Sequence, residues 1–75
     1  MNKVRRAALE ELGGKLEELK TDLESLRDEE QEYYDNMPES LQGSEKGQTA
    51  EETIDNLDSA VSNLDDALQS INSAD

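Results

Sequence analysis

Seventy-five residues with twenty acidic and seven basic side chains, a net charge of -13, and neither Cys nor His leave room for one small domain near the lower size limit for a single core. That composition excludes thiolate and imidazole metal sites, cysteine nucleophiles, Ser-His relays and disulfide staples. Fourteen Leu, Ile and Val and no Phe would suggest a disordered chain, but their spacing points the other way.

At the start, Lys3, Arg5 and Arg6 imitate the basic end of a signal peptide, but Glu10 and Glu11 interrupt the segment after them, so a cytoplasmic protein is expected. From there Leu9, Leu12, Leu16, Leu19, Leu23 and Leu26 alternate at spacings of three and four, continued by Tyr33 and Met37 after an interruption at Glu30. The segment repeats as LEELGGK, LEELKTD and LESLRDE, which predicts a helix over residues 2–36. In heptad terms Leu9, Leu16, Leu23 and Glu30 are a positions and Leu12, Leu19, Leu26 and Tyr33 are d positions. Gly13 and Gly14 then fall at outward e and f positions, a local weakness outside the core. Pro38 ends the helix.

The connection 37–48 is long for a helical hairpin, and Pro38 can open a single helical turn through Leu41 with Gly43 ending it. A second helix over 49–74 is predicted from Ala50, Ile54, Leu57, Val61, Leu64, Leu68 and Ile71, repeating as IDNLDSA, VSNLDDA and LQSINSA. Thr49 and Glu52 have capping-box spacing, with Ser44 as an earlier alternative start.

The two apolar rows match in an antiparallel hairpin. Leu26 with Ile54, Leu23 with Leu57, Leu19 with Val61 and Leu16 with Leu64 all have position numbers summing to 80, and the same register sets Tyr33 against Gly47. Lys20 and Arg27 at e positions complement Glu51, Asp58 and Asp65 at e positions of the second helix. Arg5 and Arg6 are expected beside Asp75 at the open end. On the other flank, Ala60, Ala67 and Ala74 with Thr53 widen the apolar face beyond what two helices need. The fold class is therefore all-α, one domain over residues 1–75, an antiparallel coiled-coil-like two-helix hairpin pairing through Ala60, Ala67 and Ala74 into a four-helix bundle.

The run from Asp28 to Glu52, DEEQEYYDNMPESLQGSEKGQTAEE, and within it the stretch from Asp35 to Gln42, resembles a group of small uncharacterised acidic helical proteins of bacteria, their phages and mobile elements. The resemblance implies an accessory role and carries over no catalytic residue.

No catalytic residue, metal site or cofactor is expected, because the carboxylates sit on solvated helix faces and lack calcium-loop spacing. Glu30, the one acid on the seam, either reaches solvent past Ala50 or meets Lys46 or an arginine of a partner. Two surfaces are candidates for binding. One is the acidic outer face with Glu17, Glu18, Glu24, Asp28, Asp55 and Asp66; the other is the tip with Tyr33, Tyr34, Asn36, Met37 and Leu41. The expected partners are a second copy of the chain and a basic host protein, bound in the manner of an inhibitor or nucleic-acid mimic, with no membrane and no direct nucleic-acid binding. The alternatives are an oligomeric sponge for an anionic signalling nucleotide, using Tyr33, Tyr34, Arg5, Arg6 or Lys46, and a plain coiled-coil scaffold.

Overall fold

The computed structural model describes residues 1–74 as three helices, α1 (Lys3–Asp35), α2 (Glu39–Gln42) and α3 (Glu45–Ser73), with no strand among the described residues. Asn2 starts α1 by accepting the Arg5 backbone N–H on its side-chain oxygen at 2.8 Å, which satisfies one of the free donors of the first turn. The helix runs through Gly13 and Gly14 without a break and closes at Asn36, two residues before Pro38. α1 and α3 then lie antiparallel as a rod whose Cα atoms span 58 × 14 × 12 Å. The expected pairing of Arg5 and Arg6 with Asp75 lies outside the described residues.

The connection is shorter than expected because α3 begins at Glu45, four residues ahead of Thr49. Thr49 is not a cap: its hydroxyl donates to the Glu45 carbonyl at 3.0 Å, one turn back inside the helix. The N-cap residue is Ser44, extended at φ -86° and ψ 175°, whose carbonyl accepts the Gln48 N–H at 2.9 Å. Pro38 opens the one-turn α2, with the Leu41 and Gln42 N–H groups donating to its carbonyl at 2.8 and 3.1 Å, and Gly43 ends it.

α2 explains why residue 47 is glycine. A Cβ built there would lie 2.1 Å from the Gln42 carbonyl oxygen and 2.6 Å from that of Leu41, so the backbone of α2 rests directly on the first turn of α3. Tyr33, expected to fill the space over Gly47, instead stands 44% exposed. The main chain of α2 occupies that space.

The seam itself is rotated relative to the a/d expectation. Along α1 and into the tip, the half-buried residues other than Glu24 are Leu9, Gly13, Leu16, Lys20, Leu23, Arg27, Glu30, Tyr34 and Met37, which are the a and e rows. The d residues Leu12, Leu19 and Leu26 are each more than half exposed. The buried residues Gly47, Ala50, Ile54 and Val61 all belong to α3. Gly13 therefore faces the partner helix, where a Cβ would lie 3.7 Å from Ile71 Cγ2, an ordinary contact distance. Cross-helix partners follow one register: Gly13 and Ile71 sum to 84, and Lys20 with Asp65, Arg27 with Asp58 and Tyr34 with Glu51 each sum to 85. The register of 80 is thus replaced by one four to five residues further along, a little more than one helical turn. The reason is that two helices share only one contact face, and the long stems of Lys20, Arg27 and Tyr34 cover α3 while their polar ends reach its e row.

The glycines give a test. Gly14 has open space where a Cβ would go, so Gly14→Ala should raise stability by about 1 kcal/mol through helix propensity alone. Gly47→Ala brings the same propensity gain but forces α2 off α3, and a net loss of about 1–3 kcal/mol is expected. Thermal melts followed by circular dichroism should move in opposite directions for the two variants. Equal shifts would contradict the placement of α2.

Candidate functional site

The two flanks of the hairpin differ in chemistry. On the e flank, Lys20 Nζ lies 2.6 Å from Asp65 Oδ1, and Arg27 Nη1 lies 3.1 Å from Asp58 Oδ1 while Nη2 holds Asp28 at 3.0 Å. The Tyr34 hydroxyl donates to Glu51 Oε1 one heptad further along. These contacts form a polar latch down one side of the rod. Each member has its proton held: the hydrogen bond to Asp65 raises Lys20 above the ordinary lysine value, those to Asp28 and then Asp58 raise Arg27, and the bond to the Glu51 carboxylate raises the Tyr34 phenol.

Among the described residues the opposite flank carries no such ladder. Leu12, Leu19, Leu26 and Tyr33 form a row with one residue per heptad, between 44% and 54% exposed. By heptad geometry this row lies on the same flank as the g stripe of α3, where Ala60 and Ala67 are half-buried and Ala74 is exposed. The Ala stripe is therefore only part of a wider apolar flank whose larger share comes from α1. The row is visible in the sequence, but heptad spacing alone assigns its d positions to the intramolecular seam.

The tip divides in two. Tyr34 and Met37 are half-buried, and Gln42 turns inward to donate from Nε2 to the Tyr34 carbonyl at 3.1 Å. Tyr33, Asn36 and Leu41 stay exposed. A shallow cleft of about 650 Å³ brings Tyr33 and Lys46 together with the acids Glu30 and Glu45. Arg5 and Arg6 lie at the other end of the rod. There, the missing side chains of Gly13 and Gly14 leave a groove of about 610 Å³ over Leu9, Leu68 and Ile71.

On the outer face, Glu17, Glu18, Asp55 and Asp66 are exposed, Glu24 is half-buried and Asp28 is held by Arg27. Among the described residues no group of three or more acidic side chains is placed to hold a metal ion, and no buried side-chain polar atom lacks a partner. Among the described residues, no helix is long and apolar enough to cross a membrane. No protein-family model matches the chain, and no curated protein or solved structure matches it.

The latch predicts alkaline behaviour. Because Tyr34 and Lys20 are raised in the fold, their contribution to stability is complete below the unfolded values of about 10 and is lost as pH rises through the higher folded ones. In a Tyr33→Phe background, phenolate absorbance should report Tyr34 ionising above about 10, and Glu51→Gln should bring it back down. Titration of Tyr34 unaffected by Glu51→Gln would remove this contact from the latch.

Proposed function

We propose that this chain is a non-enzymatic interaction module that pairs with a second copy into a four-helix bundle and presents acidic helix faces to a basic protein partner. The observation that carries the reading is the partition of charge. Lys20 and Arg27 are drawn onto the e flank, where Asp65, Asp58 and Asp28 neutralise them, so the outer face around Glu17, Glu18, Asp55 and Asp66 has few cations to offset it. Such a surface attracts basic patches at long range and repels phosphate.

The setting, an accessory protein of phage or mobile-element origin, rests on the resemblance of residues 28–52, and action in the cytoplasm on the acids Glu10 and Glu11 that follow the basic start. The alternative, an anion-sequestering oligomer, has less support, because Arg5 and Arg6 are far along the rod from Tyr33 and Lys46, and Glu30 and Glu45 share the latter's cleft.

The test is a charge-neutralised variant, Glu17→Gln, Glu18→Gln, Asp55→Asn and Asp66→Asn together. Against a basic partner recovered by pull-down, its affinity at low salt should fall by at least about tenfold and its salt dependence should flatten, with helicity unchanged. If Asn36→Ala and Leu41→Ser, both exposed at the tip and outside the row from Leu12 to Tyr33, abolish binding while the neutralised variant binds normally, recognition belongs to the tip and the acidic-face reading fails.

A further inference from the structure

Two hairpins can form a four-helix bundle through different faces, directions and registers, and the structure of one chain bears on all three. A helix at the corner of such a bundle needs two contact faces about a quarter-turn apart, and successive helical residues are about 100° apart. In α1 the latch row Lys20, Arg27 and Tyr34 faces α3. The row one residue earlier, Leu19, Leu26 and Tyr33, is the apolar row left uncovered. The second face is present and unfilled.

We infer that this row is the dimer interface, occupied by α1 of a second copy running antiparallel about a two-fold axis, with Leu19 facing Leu26 and Leu12 facing Tyr33 of the other chain. This rests on the four-helix reading above and makes it specific. Facing α1 residues then sum to 45, which is the arrangement that uses all four members of the row.

The register can be checked on the other helix. Cross-helix partners within one chain sum to 84 or 85, so the two-fold axis requires facing α3 residues to sum to 123–125, twice the intramolecular value less 45. At a sum of 124, Ala60 faces Leu64, Ala67 faces Leu57 and Thr53 faces Ile71. Small residues meet large ones along the stripe, the pattern that lets two helices approach closely and fill the layer evenly. A foreign helix would have no reason to satisfy a relation between the two halves of this chain.

Flanking charge on balance supports this register. Outside the row on α1 lie Lys15, Asp22 and Glu29, and the same axis places Lys15 beside Glu29 of the other copy, twice per dimer. Lys15 is free to move there, since its contact with Glu11 is 3.8 Å long and both side chains are about two-thirds exposed or more. Asp22 meets its own copy at the axis, a repulsion specific to a symmetric arrangement. The row from Leu12 to Tyr33 runs about 32 Å along the rod, more than half of its 58 Å Cα length.

The absence of cysteine makes cross-linking a clean test. Light scattering on the unmodified protein at micromolar concentration should give the mass of two chains. Leu19→Cys and Leu26→Cys, each replacing a half-exposed side chain, should cross-link under mild oxidation when mixed and not when either is alone. Leu26→Glu should weaken the dimer by at least about thirtyfold with helicity retained at high concentration, and Asp22→Asn should tighten it. Self-cross-linking of either variant, or no cross-link in the mixture while scattering still reports two chains, overturns the register and leaves the four-helix pairing standing. A monomer at these concentrations overturns both.

Discussion

The organising constraint is that an isolated pair of helices has one contact face, and this chain has more apolar rows than that face can hold. α1 offers rows at a and d, α3 adds a stripe at g, and only the a row of α1 is turned toward its partner together with the e row. The latch of Lys20, Arg27 and Tyr34 on Asp65, Asp58 and Glu51 accompanies that choice. Exposed ion pairs of this kind add little stability individually, but three polar contacts in one register discriminate between rotations of a helix that similar leucine rows would otherwise leave close in energy.

From this rotation come the unequal burial of the helices and the different character of the flanks. The buried residues are small or β-branched and lie on α3, with Gly47 covered by the backbone of α2 and Ala50, Ile54 and Val61 on the side that meets α1. α1 itself has none fully buried, and its d row stands half in water. A chain of this size with so little enclosed apolar surface gains by adding a second layer, and under the proposed pairing the flank opposite the latch is the one left for it.

The ends of the rod are finished differently. At the tip, α2 packs its backbone on Gly47 and Gln42 caps Tyr34, so closure uses main chain and a polar side chain where an apolar plug would be the usual solution. At the open end, Gly13 and Gly14 leave a groove between the helices. The acidic surface between these ends follows from twenty acidic against seven basic side chains, two of which, Lys20 and Arg27, are taken up in the seam.

The all-helical character, the break at Pro38, the short turn before Gly43 and the opposed charges of the e rows were legible in the sequence, because they depend on spacing and local chemistry. What the sequence could not decide was which of two nearly equivalent leucine rows faces inward: Leu12, Leu19 and Leu26 have the same periodicity as Leu9, Leu16 and Leu23, and a heptad pattern is blind to a rotation of about 50°. Continuing the e row to Tyr34 and Glu51 would have signalled it, since that pair has the same position sum as the two ion pairs. The need for glycine at 47 was also beyond spacing, because its cause is backbone from α2 lying across α3. Only the tertiary structure brings those atoms within a Cβ radius of one another.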